Sequence, residues 1–115
     1  MTSVFRNVLS ASIGTSPVTV LTTTPSATTT IIGMSLTNTT TEQVFITIQL
    51  TDPNGGGLGI STTAYYLKNV IVPAGQSLRV INGGEKLILA GNSTVVVTST
   101  ADSSIDLVMS WVEIS

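Results

Sequence analysis

The sequence predicts an all-β fold, an antiparallel β-sandwich or jelly roll built as a single domain. Several segments alternate apolar and polar residues with the two-residue period of a half-buried strand. Turn residues, mainly Gly, Pro, Asn and Ser, recur between these segments at intervals of roughly ten residues, the spacing typical of sandwiches and barrels. No segment has the i, i+3, i+4 apolar spacing of an amphipathic helix. Together these observations predict about eight short strands.

The N-terminal part of the chain is the least regular. Residues 1–16 have a weak apolar period at Val4, Val8 and Ile13, and we expect an ordered arm or a first edge strand there. A disordered tail or a partner-binding arm is the alternative. The sandwich domain itself is expected to span residues 17–115.

Two strands are predicted before residue 40. The first is Val18-Thr19-Val20, after which Pro25 marks a break or an edge position, because proline cannot donate to a sheet ladder. The second is Thr28–Asn38, whose alternation places Ile32 on the inward face and Ile31 on the outward face. The polar turn Asn38-Thr39-Thr40-Thr41-Glu42 ends it.

Two longer strands have the clearest alternation. Val44–Thr51 directs Val44, Ile46, Ile48 and Leu50 to one face, and Ile105–Ile114 does the same with Ile105, Leu107, Met109 and Trp111. The predicted core is made of the inward residues of all these segments: Ile32, Met34, Leu36, Val44, Ile46, Ile48, Leu50, Leu78, Val80, Leu87, Leu89, Leu107, Met109 and Trp111.

The segment Ala64–Val97 predicts the middle of the domain. It contains two similar phrases, Val72–Leu78 and Ile88–Thr94, in which an apolar strand end is followed by a small residue, a glycine, an amide and a serine. The glycine allows the positive φ of a tight turn, and the polar side chains can bond the exposed backbone. Between the phrases, Asn82-Gly83-Gly84 is a strong hairpin signal. Four short strands joined by three turns are therefore predicted.

The composition excludes several classes of function. The chain has no cysteine and no histidine, so it offers no disulfide or thiolate site and lacks the commonest general base and metal ligand. Charged residues make up only 9% of the chain, with a net charge of −2, which argues against a nucleic-acid partner. No segment is apolar for long enough to span a membrane, and the N-terminus lacks the pattern of a secretion signal.

The low charge also indicates assembly. Monomeric proteins usually carry more charge than this to stay dispersed. A chain rich in Val, Ile and Thr with so few charges is expected to cover its strand edges and part of its surface with copies of itself or with partners.

Candidate sites for chemistry are weak. Asp52-Pro53-Asn54-Gly55 has the oxygen ligands of a calcium loop, but it lacks the glutamate of the EF-hand pattern, and a glycine-rich turn is the favoured interpretation. Glu85, Asp102 and Asp106 could act as an acid and base, although nothing in the sequence places them together. We therefore predict no catalytic residue, no cofactor and no metal, and a protein that is not an enzyme.

A few other motifs admit a functional interpretation. Tyr65 and Tyr66 could stack on sugar rings, but strand neighbours face opposite ways, which makes one of them core or interface and the other rim. Asn38-Thr39-Thr40 and Asn92-Ser93-Thr94 match the glycosylation acceptor, a match that a chain rich in Thr and Ser makes by chance. Gly55–Gly59 precedes no helix and no lysine follows it, so a phosphate-binding loop is not predicted.

Four phrases in the second half of the chain carry a family resemblance. They are Tyr66-Leu67-Lys68-Asn69, Val72-Pro73-Ala74-Gly75, Leu87-Ile88-Leu89-Ala90-Gly91-Asn92 and Val112-Glu113-Ile114-Ser115. In this phrasing, residues 63–115 resemble small structural proteins of tailed bacteriophages, whereas the N-terminal half agrees only in its alternating strands and threonine-rich turns. The resemblance implies a β-sandwich that is a virion component assembled in the host cytoplasm. It transfers no site residues, because the motifs are turns.

This resemblance gives the functional expectation. The chain is expected to be a non-enzymatic capsid decoration (cement) protein that binds and stabilises the assembled shell; the alternative is a neck, tail or fibre component acting as an adaptor or as a receptor- or glycan-binding module. We expect a homo-oligomer, with a trimer favoured, bound to a major capsid or other virion protein through a strand edge and residues 1–16. Deletion of residues 1–12 is expected to leave the sandwich folded and to weaken attachment.

Overall fold

The computed structural model describes the backbone of residues 2–55 and 58–115, and the side chains of these residues except for 82–85. The described residues form eight β-strands. Their bounds are β1 Ser3–Ile13, β2 Val18–Thr22, β3 Thr28–Asn38, β4 Val44–Asp52, β5 Thr62–Val72, β6 Ser77–Leu89, β7 Thr94–Ser99 and β8 Ile105–Ile114.

The strands form two four-stranded antiparallel sheets. The first sheet has the order β1-β8-β3-β6 and the second has the order β2-β7-β4-β5. The chain crosses from one sheet to the other at every connection except that between β4 and β5, which is the strand order of a jelly roll. The predicted all-β sandwich is thus confirmed.

The core fills the space between the inward faces of the two sheets. Nine of the predicted core residues are buried: Met34, Leu36, Val44, Ile46, Ile48, Leu89, Leu107, Met109 and Trp111. Four more are partly buried and pack against this core: Leu50, Leu78, Val80 and Leu87. The core also contains apolar residues that the sequence-based list omitted: Ile13, Val20, Leu21, Ile31, Val72, Ile81, Val95, Val97 and Ile105.

The prediction for Ile32 is wrong, because β3 contains a bulge. Ile31 is fully buried and Ile32 is only partly buried, whereas Met34 and the inward residues that follow keep their predicted face. The register of β3 against both neighbouring strands shifts between Ile31 and Gly33. An extra residue at this point reverses the phase of the alternation, so the residues before it face the opposite way from the prediction.

The predicted hairpin at Asn82-Gly83-Gly84 is also wrong. The backbone of β6 runs as one strand through these residues, so the segment Ala64–Val97 holds three strands and two turns. Opposite Ile31–Gly33 of β3, the paired stretch of β6 runs from Leu87 to Asn82. Residues 83–86 are therefore accommodated opposite Ile32 alone, and the glycines mark an irregularity in a strand instead of a chain reversal.

Asn38 holds the end of β3 against the second sheet. Its side chain is fully buried, and its Nδ2 donates to the carbonyl oxygens of Val72 at 3.0 Å and Glu42 at 2.7 Å. Its Oδ1 accepts from the backbone N–H of Thr40 at 2.9 Å and from the Thr40 hydroxyl at 2.7 Å. Because the amide is enclosed and bonded on both sides, Asn38 is not accessible as a glycosylation acceptor.

The N-terminal strand is part of the sandwich. β1 pairs with β8 from Ser3 to Ser10 without interruption, and the register then shifts before Ile13, which is buried in the core. Ser12 has a positive φ of 59° in this bulge, and its N–H donates to Asp106 Oδ1 at 2.9 Å. Deletion of residues 1–12 would therefore remove most of β1 and uncover the edge of β8.

Candidate interaction surface

The solvent-facing side of the first sheet is the candidate functional surface. In β8 the buried residues alternate with residues that point away from the core. Cross-strand partners in an antiparallel pair lie on the same face. The register places five rows on the solvent side. We call the residues of the three rows that begin at Leu9, Asn7 and Phe5, together with Ile32, the outer face: Leu9, Val108, Ser35 and Arg79; Asn7, Ser110 and Gly33; Phe5, Val112, Thr30 and Ile88.

The outer face is apolar and nearly free of charge. Phe5 is 77% exposed, Leu9 70%, Ile88 66% and Val108 47%. The remaining members are Ile32, Val112 and small, hydroxyl-bearing or amide side chains, with Arg79 as the one charged residue of the face as defined; the adjoining row on the same side carries the carboxylate of Asp106. Large apolar side chains that share one face of a sheet mark an interaction surface more often than scattered ones do.

Two shallow depressions follow the β3 bulge across this face. One has a volume of about 330 Å³ and extends to Arg79, and the other, of about 390 Å³, extends to Phe5. Ile32 and Ser110 line both of them. The bulge in β3 therefore places Ile32 between two depressions of the outer face. Side chains of a partner could enter the depression on either side of Ile32.

The solvent side of the second sheet combines a polar row with exposed aromatic and aliphatic side chains, Phe45, Tyr65 and Ile71. One row across its four strands consists of Thr22, Thr94, Thr51 and Thr63, and the hydroxyl oxygens of Thr51 and Thr63 are 2.9 Å apart. Its exposed apolar side chains include Ile71, which is 44% exposed. Ile71 provides a matched position for a control substitution.

The two tyrosines separate as expected. Tyr65 is exposed on the solvent side of the second sheet, and Tyr66 is partly buried and packs against the core. Lys68 Nζ lies 4.8 Å from the centroid of the Tyr65 ring, so one face of this ring is occupied by a cation. A sugar could stack on the other face alone.

Two of the acidic candidates, Asp102 and Asp106, accept hydrogen bonds from residues near the end of β1. Asp106 accepts the Ser12 N–H described above, and Asp102 Oδ1 accepts from the Thr15 hydroxyl at 2.9 Å. The side chain of Glu85 lies outside the described residues. Among the side chains that are described, no group of three or more His, Cys, Asp or Glu could hold a metal ion.

The proposed calcium loop contains a local turn. Asp52 Oδ1 accepts from the N–H of Asn54 at 2.9 Å, and the N–H of Gly59 donates to the Asn54 carbonyl at 2.9 Å. Gly55 has a positive φ of 52°, and a Cβ there would meet the Ile60 carbonyl oxygen. The glycine is thus required by a close backbone approach. Residues 56–57, and with them part of the Gly55–Gly59 motif, lie outside the described residues.

Glu113 forms a charged cluster at the rim of the first sheet. Its Oε1 accepts from the indole Nε1 of Trp111 at 3.3 Å and lies 3.3 Å from Arg6 Nε. The hydrogen bond from Trp111, with further contributions from Thr24 and Arg6, lowers the pKa of Glu113. The carboxylate thereby ties β1 to β8 and orients the one tryptophan of the core.

Membrane insertion through a helix finds no support in residues 2–55 and 58–115, where no helix is long and apolar enough to cross a bilayer.

Comparisons with known proteins show the fold. No family model matches the sequence, and no curated protein matches it. Among solved structures, a chain in the crystal structure of the T13 IBDV viral particle is similar, with a TM-score of 0.56 and 10% sequence identity. The similarity covers 97% of this chain and 31% of that chain, so this protein corresponds to less than a third of its neighbour's length.

Sequence reasoning did not locate the outer face. In residues 1–16 the apolar period was assigned to Val4, Val8 and Ile13, which lie on or near the side of β1 opposite to Phe5 and Leu9. The signal that could have found it was the second alternating series, Phe5, Asn7 and Leu9. Because both series contain large apolar residues, the alternation did not indicate which of them faces the core.

Proposed function

We propose that this chain is a non-enzymatic virion structural protein, and more specifically a capsid decoration protein of a tailed bacteriophage that binds and stabilises the assembled shell. It acts by contact alone, through the outer face of the first sheet. Its partners are further copies of itself and a major capsid protein. Its place is the virion, which is assembled in the host cytoplasm.

The outer face carries this proposal. Apolar side chains left in water on one side of a rigid sheet gain free energy when a partner covers them, at about 25 cal/mol per Å² of apolar area. The face has almost no charge that would have to be desolvated in the process. A protein that binds only the assembled shell stabilises that shell by mass action.

The similarity to a chain of the T13 IBDV viral particle supports a structural role in a virus. The match extends over almost the whole jelly roll, and that chain belongs to an icosahedral particle. The tailed-phage assignment and the decoration role rest on the turn phrases of residues 63–115, which resemble those of small phage structural proteins.

Copy counting on purified particles tests the position on the virion. Quantitative mass spectrometry of the particle is expected to find this chain in a fixed, high ratio to the major shell protein. Only a few copies per particle would contradict decoration and would favour a neck, tail or fibre position. Absence from the particle would contradict the virion role itself.

A pair of substitutions tests the binding face. Val108→Lys places a charge on the outer face, between Leu9 and Ser35, and Ile71→Lys places the same charge on the other sheet at a nearly equal exposure, 47% against 44%. Both variants are expected to fold, since both side chains point to solvent. Val108→Lys is expected to lose binding to particles that lack the protein, whereas Ile71→Lys retains it. Equal binding by the two variants would show that the outer face is not the contact.

A further inference from the structure

The free edge of β1 has an ordered set of unpaired backbone groups. Thr2 and Ser115 exchange both of their backbone hydrogen bonds, at 2.8 and 3.0 Å. From there the register runs without a shift to Ser10 and Leu107. Since hydrogen-bonded and non-hydrogen-bonded pairs alternate in an antiparallel ladder, even-numbered residues of this stretch bond to β8. Odd-numbered residues, namely Ser3, Phe5, Asn7 and Leu9, direct their N–H and C=O groups away from the sheet.

The other sheet edges are protected against pairing. β2 is only five residues long and has a shift between Thr19 and Leu21. β5 has two shifts and carries Asn69 at a positive φ of 52°. β6 is irregular at residues 83–86 and again near Val80. Short, bulged edges resist strand addition, whereas a long regular edge invites it.

We propose that β1 pairs antiparallel with β1 of a second copy, about a two-fold axis at Asn7. In this register Asn7 faces its counterpart, Phe5 faces Leu9 of the second copy, and Arg6 faces Val8. Phe5, Asn7 and Leu9 then use all of their outward N–H and C=O groups. Both copies contribute the same surface, as a two-fold interface requires.

The sequence of β1 favours this register over those with the axis at either neighbouring residue. A two-fold axis at Arg6 would place two arginines opposite each other, and like charges in directly opposed positions are unfavourable. An axis at Val8 would move Phe5 opposite Ala11, beside the bulge at Ser12. The register about Asn7 avoids both faults and gives two aromatic–aliphatic pairs. Because β1 places complementary residues opposite each other when it pairs antiparallel with an identical strand, a second copy of the chain is the partner that its sequence fits.

The pairing would join two outer faces into one. The first sheets of the two copies become continuous, and the Phe5 and Leu9 side chains of both copies meet at the centre of the combined face. A three-fold ring would instead need β1 to meet a different edge of the next copy, and those edges are bulged or short. The geometry therefore favours a dimer over the trimer expected from the resemblance.

The test uses the purified full-length chain in sedimentation velocity over a wide range of concentration. The parent protein is expected to be a dimer. Asn7→Pro removes an outward N–H and none of the bonds to β8, and sheet edges accept proline where the N–H faces solvent. This variant is expected to be a folded monomer with an unchanged circular dichroism spectrum. The control Arg6→Pro removes a donor to β8 and is expected to destabilise the sandwich.

Two double variants with charges at Phe5 and Leu9 test the proposed register of the β1–β1 pairing. This test does not depend on whether Asn7→Pro folds. The double variant Phe5→Lys/Leu9→Lys opposes like charges across the axis and is expected to be monomeric. Phe5→Lys/Leu9→Glu opposes unlike charges and is expected to restore the dimer. A monomeric or trimeric parent, a dimeric Asn7→Pro variant, or two double variants of equal association would each overturn the proposal. Because no particle is involved, this result is separate from that of the decoration test.

Discussion

Replacing Asn38 by alanine is expected to destabilise the fold by about 2–4 kcal/mol, although the side chain belongs to no predicted core position. The amide donates to the carbonyls of Val72 and Glu42 and accepts from Thr40, and it is fully buried. Each such bond contributes about 0.5–1.5 kcal/mol net, and a buried group left without a partner costs about 1–3 kcal/mol. In the alanine variant the Glu42 carbonyl can still accept from the Thr40 hydroxyl. Most of the lost stability is therefore expected to come from the Val72 carbonyl, which loses the hydrogen bond from Asn38.

An aspartate at this position gives the sharper experiment. Asn38→Asp keeps the shape of the side chain and turns its two N–H donors into a carboxylate oxygen that faces two carbonyl oxygens. Both burial and this contact disfavour the charged form, which raises the pKa of the introduced carboxyl in the folded state. The variant is then most stable below the unfolded pKa of about 3.9 and loses stability as the pH rises towards the folded pKa.

Urea denaturation across a pH series measures both effects. With a urea m-value of about 1–2 kcal/mol/M, a loss of about 3 kcal/mol lowers the midpoint by about 1.5–3 M. Relative to the parent, Asn38→Ala is expected to show a constant deficit, whereas the deficit of Asn38→Asp grows with pH and exceeds that of alanine at neutral pH. If the two variants lose equal stability at every pH, the side chain does not face those carbonyls in solution.

Three further outcomes follow from the structure. Ile48→Ala is expected to cost about 2–5 kcal/mol in chemical denaturation, and Ile32→Ala clearly less, because only the first side chain is fully buried; equal losses would contradict the bulge in β3. Gly91→Ala is expected to prevent stable folding, since its Cβ would clash with the Pro25 carbonyl oxygen, and a parent-like melting temperature would refute this close approach. The lowered pKa of Glu113 contributes stability that is present above the unfolded pKa and is lost as the pH falls through the folded value. Glu113→Gln should therefore flatten the acid side of the stability–pH curve, and an unchanged curve would count against the cluster.

The parts of the fold that were predicted correctly are those where local pattern and tertiary structure agree. β4 and β8 alternate without interruption on their inward faces, so the period of two identified Ile46, Ile48, Leu107 and Met109 directly. The turns after β5 and β6 lie at their glycine-containing phrases, as predicted. The positive φ falls on the glycine only in the first, at Gly75 with 68°; in the second it falls on Asn92, with 63°, and not on Gly91. In β4 and β8 the local pattern is compatible with only one assignment of inward and outward faces.

The errors arise where a strand changes phase. Ile31 and Ile32 are adjacent and equally apolar, so nothing local indicates which one faces the core, and the choice is made by a bulge against two neighbouring strands. A pair of glycines in a hydrophobic run is compatible with a tight turn or with a strand irregularity. The pairing of β6 with β3 on both sides of residues 83–86 decides between them, and that is long-range information.

The same bulges connect the low charge of the chain to its proposed assembly. Both lysines of the chain lie on edge strands, Lys68 on β5 and Lys86 on β6, so charge protects these two edges in part and the geometry of the strands adds to that protection. Geometry protects β2, β5 and β6, through shortness and through departures from regular pairing that no composition reveals. β1 alone combines a regular edge with exposed Phe5 and Leu9, and its only charge, on Arg6, is held by Glu113. Composition therefore predicts assembly without naming an edge, and the register of the strands shows that β1 has the regular edge on which the proposed pairing rests.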